Sequence, residues 1–239
     1  MDTQPAKKSI VEIVRATKIY TPDVVALEDI SLSISYGEMV FLTGMSGAGK
    51  TTLLKLICGI EHPDKGMVEV NGKDLNRIKG GEIPQLRQKI GMAYQDFKLL
   101  PDRTVAQNIA MAMEVSYQNI RTIKKRVIEL LQKLRLEHKH DALAGNLSRG
   151  EQQRVTVARS VANSPALILA DEPTGNLDSK TTRLVMELFE QCNISGTTII
   201  IATHDEGIYR RSANRVLELH SGRLISPAYN TISTLNNMP

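Results

Sequence analysis

The chain has 239 residues, 41% of them apolar and 23% charged, with a net charge of +4 and a pI near 9.0. That is enough chain for one large α/β domain with a sizeable core, and an ordinary composition for a soluble globular protein. Aromatic residues at 4% with no Trp speak against an aromatic-lined nucleic-acid platform, and the mildly basic balance suits an anionic ligand or a surface near acidic headgroups. No run approaches the ~20 apolar residues of a membrane helix. The basic N-terminus lacks the apolar core of a secretory signal, so any membrane attachment is expected to come through another chain. The two cysteines, Cys58 and Cys192, have no Cys or His neighbour at metal-ligand spacing and read as buried, reduced thiols.

Residues 1–8 form a polar leader. Residues 10–16 alternate in part and predict a strand; Ser31-Leu32-Ser33-Ile34-Ser35 alternates cleanly and predicts another, half-buried one. Tyr36-Gly37-Glu38 is a turn before the apolar run Met39-Val40-Phe41-Leu42-Thr43, and a helix-like segment follows from Thr52. Met67-Val68-Glu69-Val70 before Asn71-Gly72 is a strand followed by a hairpin turn. From about 96 to 163 the period turns helical. Ile120, Ile123, Val127, Leu130, Leu131 and Leu134 recur at spacings of three and four, with Lys124, Lys125, Arg126 and Glu129 on a solvated face. His138 and His140 flank Lys139 and read as surface. Strands at 166–170 and 197–202 enclose a helix at 179–191 that Asp178 or Ser179 caps, an alternation that argues for a parallel sheet flanked by helices. Residues 216–225 close in a hairpin through Ser221-Gly222, and 226–239 read as a polar tail.

Two motifs carry the chemistry. Gly44-Met45-Ser46-Gly47-Ala48-Gly49-Lys50-Thr51 is a full G-x-x-x-x-G-K-[ST] phosphate-binding loop between a strand and a helix that continues through Thr52. Its backbone N–H groups and helix N-terminus cradle a polyphosphate; Lys50 adds a cation at the β/γ-phosphates, and the Thr51 hydroxyl faces Mg²⁺. Leu167-Ile168-Leu169-Ala170 ends in Asp171-Glu172. Paired acids at the end of a buried strand are costly unless they are paired or bind metal. Asp171 is expected to hold the Mg²⁺ of a nucleotide, and Glu172 to orient or deprotonate the attacking water.

Between these motifs lies Leu147-Ser148-Arg149-Gly150-Glu151-Gln152-Gln153, which resembles the signature sequence of the ATP-binding-cassette (ABC) ATPases, usually written LSGGQ. The resemblance covers about residues 10–224. It implies a P-loop NTPase of the ABC type. The mainly parallel core sheet and a small antiparallel β-subdomain would be built from 9–95 and 164–225, and a helical subdomain from 96–163. It implies that Tyr20 stacks on adenine, that Gln95 touches Mg²⁺ and contacts a transmembrane partner, and that Gly175-Asn176-Leu177-Asp178 crosses a dimer interface. His204 would sense the γ-phosphate, with Glu172, His204 and Lys50 as the catalytic set. The metal set would be Thr51, Gln95 and Asp171. Two ATP molecules would be sandwiched in a head-to-tail homodimer, Ser148 and the Gly150 N–H of one copy capping the γ-phosphate bound by the other.

Arg149 departs from the pattern, which usually has Gly there. Its side chain either crowds the approach to phosphate or adds charge to the composite site. Gly59-Ile60-Glu61, Leu86-Arg87-Gln88-Lys89-Ile90-Gly91 and Gln95 through Val105 are similar to the bacterial cell-division members of the family. Those members imply an integral membrane subunit as partner, a peripheral place on the cytoplasmic face of the inner membrane, and control of peptidoglycan hydrolysis at the septum. The alternative is the ATPase of a lipoprotein-releasing or macrolide-type exporter, which shares the Gly-Asn-Leu-Asp segment and the LSGGE-type signature. A nucleotide-gated scaffold with little hydrolysis is disfavoured by Glu172 and His204. A DNA-repair or translation role, with direct nucleic-acid contact, is disfavoured by the lack of a coiled-coil insertion, a zinc-binding Cys set or a second cassette.

Overall fold

The computed structural model describes residues 8–210 and 212–225. The leader at 1–7 and the stretch read as a tail at 226–239 lie outside them. Two sheets organise the chain. A four-stranded antiparallel sheet has the order β2-β1-β4-β5, from β1 (Ser9–Tyr20), β2 (Val24–Ser35), β4 (Lys65–Val70) and β5 (Lys73–Asp74). A six-stranded sheet has the order β10-β9-β3-β8-β7-β6, from β3 (Met39–Thr43), β6 (Ile90–Ala93), β7 (Leu167–Asp171), β8 (Thr198–Ala202), β9 (Arg215–His220) and β10 (Arg223–Ile225). Its neighbours pair in parallel except at the β9–β10 hairpin.

The apolar runs of β3, β7 and β8 are buried on both faces, as a parallel sheet covered on both sides requires. Their period of two sorts the side chains into two cores. Val40, Leu42, Leu167, Leu169 and Ile200 face the antiparallel sheet and helix α1 (Lys50–Ile57). Phe41, Ile168, Ala170, Ile199 and Ile201 face a layer of helices: α3 (Val105–Glu114), α4 (Ile120–Lys133), α5 (Arg149–Ala162) and α6 (Ser179–Ile194). The short helices α2 (Glu82–Arg87) and α7 (Glu206–Tyr209) complete the set.

Side chains cap α3, α5 and α6, the α6 cap being the one the sequence predicts. Thr104 and Ser148 form capping boxes with Gln107 and Glu151, and Asp178 accepts from Lys180 N and Thr181 N at the start of α6. Three expectations shift. β1 and β2 are longer than their alternation predicts, because register shifts around Ala16 and Lys18 break the period while pairing continues. Ile120, counted in the apolar stripe, is 58% exposed, since it opens α4 beside its cap Asn119. Cys58 is buried, but Cys192 is only partly so; both are free thiols, and burial pushes both upward in pKa. Helix α2 and strand β6 have no separate periodic signal. Among the described residues no helix is long and apolar enough to cross a membrane.

Candidate active site

Strand β3 delivers the chain into the loop at 44–49, and α1 leaves it. Gly49 is the N-cap of α1, with φ 106 and no side-chain cap, so the helix's first N–H groups are left for a ligand. Only glycine fits there, because an added Cβ would stand 2.6 Å from the Ala26 carbonyl. Lys50 is 8% exposed and its Nζ donates to Gly44 O at 2.7 Å and Met45 O at 3.2 Å, which ties the cation across the loop.

Asp171 closes β7 and is 2% exposed. Its Oδ2 accepts from the Thr51 hydroxyl at 2.7 Å, while its buried Oδ1 has no partner. Burial holds the Asp171 carboxyl above its usual pKa; the Thr51 hydrogen bond opposes this and the neighbouring Glu172 charge adds to it. Glu172 sits in the left-handed region, φ 47, its N–H fixed on Ala202 O at 2.9 Å. That turn aims the carboxylate sideways: Oε1 accepts from His204 Nδ1 at 2.7 Å and lies 3.9 Å from Lys50 Nζ.

These groups surround one cavity of about 580 Å³, lined by the loop residues 45–52, Gln95, Asp171, Glu172 and His204, with Tyr20, Val24 and Val25 at its mouth. The half-buried Tyr20 ring, with Lys18 Nζ 5.4 Å over its centroid, lines this cavity beside the 60% exposed Val24. Of the site residues expected from the sequence, the structure gathers Tyr20, Lys50, Thr51, Thr52, Gln95, Asp171, Glu172 and His204 here, and the Gly44 carbonyl beneath Lys50. It does not bring in Ser148 or Gly150. Ser148 caps α5 and shares its hydroxyl with Glu151, and Gly150 packs toward the Asn176 carbonyl. Exposed Arg149 lines a larger cleft of about 1200 Å³ with Gln152, Gly175 and Asn176, and Thr51, Gln95, Asp171, Glu172 and His204 line this cleft too.

Val24 and Val25 carried no motif. Nor did Arg159, a buried cation on α5 that holds the loop after Gln95; its one signal is a charge among Val155, Val157, Ala158, Val161 and Ala162.

A phosphate loop on a parallel sheet, an Asp–Glu pair at the end of the neighbouring strand but one, and a helical layer bearing the signature define a P-loop nucleotide triphosphatase. A family model described as "ABC transporter" matches residues 27–175. The chain is 46% identical to the cell division ATP-binding protein FtsE of Bacillus subtilis (strain 168) over 216 residues, 90% of this chain and 95% of that protein. It is also 46% identical to FtsE of Escherichia coli (strain K12), over 87% of this chain and 94% of that one. Among solved structures it resembles the dimeric post-hydrolysis state of the ATP-binding cassette MJ0796 bound to ADP and Pi, with a TM-score of 0.86 and 34% identity, covering 91% of this chain and 97% of that one. The chain belongs to the ABC transporter ATPase family.

Proposed function

We propose that this chain is the ATP-hydrolysing subunit of a cell-division complex of the FtsE–FtsX type. It would work as a homodimer on the cytoplasmic face of the membrane, and its ATP cycle would regulate peptidoglycan hydrolysis through an integral membrane partner of FtsX type. The observation that carries the chemistry is the buried Asp171, one oxygen on Thr51 and the other unpartnered, beside a Glu172 held by His204. That donor set fits Mg²⁺: one carboxylate, a hydroxyl and Gln95 suit a cation that takes its remaining ligands from phosphates and water. When bound, Mg²⁺ supplies charge neutralisation at the β- and γ-phosphates. The chain's own residues do the rest. The N–H groups of the loop and α1 bind the phosphates, and Lys50 swings its charge to them. Glu172 takes the proton of the attacking water, with His204 fixing its carboxylate and facing the γ-phosphate. The cell-division role rests on the FtsE relatives, identical at 42–46% over about nine-tenths of the chain.

Purified chain is expected to hydrolyse ATP with magnesium. Glu172→Gln is expected to keep ATP binding and slow turnover by ~10²–10⁴-fold, as loss of a general base does. Near-wild-type turnover in that variant moves the base elsewhere. In cells the chain is expected in the membrane fraction only while its membrane partner is present; a uniformly cytosolic distribution with the partner intact overturns the FtsX reading.

A further inference from the structure

Gln95 does not stand on a rigid element. It follows β6 on an exposed segment whose next residues are strained: Phe97 and Lys98 are consecutive non-glycine residues in the left-handed region, at φ 63 and 48. A bulky aromatic in that region stays there only where the surroundings impose it. Here α5 imposes it. Arg159 Nη2 donates to Phe97 O at 2.6 Å and Nη1 donates to Lys98 O at 2.7 Å. Thr156 Oγ1, one turn earlier on α5, donates to Gln152 O at 2.9 Å and reaches Phe97 O at 3.3 Å.

The clamp is unusual in its charge. Arg159 is 9% exposed, and among the described residues no carboxylate lies within ion-pairing distance of it. Burial lowers its pKa, and Tyr94 is the neighbour that opposes this. A buried guanidinium satisfied by two carbonyls is a costly way to fill a core position that apolar neighbours on α5 fill readily. The planar fork accounts for it: two parallel donors hold two successive carbonyls at fixed spacing, which an ammonium cannot do.

We propose that Arg159 is a positioning residue, whose grip on the Phe97 and Lys98 carbonyls sets where Gln95 stands and ties it to the helix that begins with the signature. Arg159 lies eleven positions beyond the N-cap Ser148, about 16 Å along α5 at 1.5 Å per residue. A shift of the signature end therefore reaches the Gln95 segment through one rigid helix. The functional half of this inference rests on the ATPase reading above; the clamp itself does not.

The test uses Arg159→Lys in the full chain, which keeps the charge and loses the fork. Amide hydrogen exchange at 96–100 is expected to speed up about tenfold or more, with β7 and β8 unchanged. Turnover is expected to fall about 10- to 100-fold, as for small misplacements of a catalytic group, with KM for ATP changed less than about threefold because the phosphate loop is untouched. In a Gln95→Ala background the same substitution is expected to add little, since both act through one group. Unchanged exchange at 96–100 overturns the clamp. Faster exchange with unchanged turnover, or full additivity with Gln95→Ala, overturns the positioning role. If Arg159→Lys does not fold, Thr156→Val removes the third contact without burying a new polar atom and is read by the same criteria, with a smaller expected effect. If the unsubstituted chain fails to hydrolyse ATP, the ATPase reading fails, and the exchange arm still decides the clamp.

Discussion

At the residue scale, Asp171 shows how a site is charged against the interest of the fold. Its carboxylate is buried with one oxygen unpaired, and its pKa is raised. A raised folded-state value means the folded chain binds the proton more tightly than the unfolded one. The stability tied to this group is therefore complete below the ordinary carboxylate pKa of about 3.9 and is lost as pH rises through the raised value. If the ionised form holds the Mg²⁺ proposed above, protons compete with that ion, and Mg²⁺–nucleotide affinity is expected to weaken as pH falls toward the raised pKa. Asp171→Asn is expected to raise the thermal midpoint of the ligand-free chain by about 2–4 °C per kcal/mol regained, in a domain of this size, while Mg²⁺–ATP no longer adds stability. A lower midpoint in EDTA means Oδ1 is compensated after all. Arg149 poses the opposite question. It is exposed at the start of α5, so crowding is avoidable and its guanidinium can reach solvent. Arg149→Gly is therefore expected to change turnover less than about tenfold, roughly 1.4 kcal/mol of barrier. A larger rise restores the crowding account, and a larger fall assigns the charge a part in the composite site.

At the scale of elements, what the sequence made legible follows how local each signal is. The phosphate loop, the Asp171–Glu172 strand end, the Asn71-Gly72 turn and the Asp178 cap are read within a few residues, and each stands where its local chemistry puts it. The full length of β1 and β2 was not legible, because a shifted register destroys the alternation that marks a strand while leaving its ladder intact. The placement of α5 was not legible either. It packs on β6 because Gly91 has no Cβ: one built there would overlap the Ser160 carbonyl. That closeness lets Arg159 and Thr156 reach the Phe97 carbonyl. The signal is one glycine and one arginine 68 positions apart, and no periodicity links them. The left-handed turn at Glu172 is similar: nothing in Asp-Glu-Pro announces it, yet it aims the carboxylate at His204 rather than along the strand.

At the scale of the whole molecule, the site is divided. The cavity holds the phosphate loop, Asp171, Glu172 and His204, while Ser148 and Gly150 stand outside its lining. If a second copy supplies them, each ATP is cradled by one chain and capped by the other, and the two sites of a head-to-tail dimer mix residues from both. That geometry has a sharp genetic consequence. Lys50→Ala removes the cation of its own cradle, and Ser148→Arg blocks the cap it offers its partner; each variant alone is expected to be inactive in both sites. In a mixed dimer, one site combines both defects and the other has neither. Equal mixing makes about half the dimers mixed, each with one of two sites intact, so independently acting sites recover about a quarter of wild-type turnover. Turnover no greater than the sum of the two inactive parents, with mixed dimers demonstrated by native mass spectrometry, overturns completion of independent sites in trans. Recovery near one quarter places Ser148 on its partner's nucleotide and makes the closed dimer the catalytic unit.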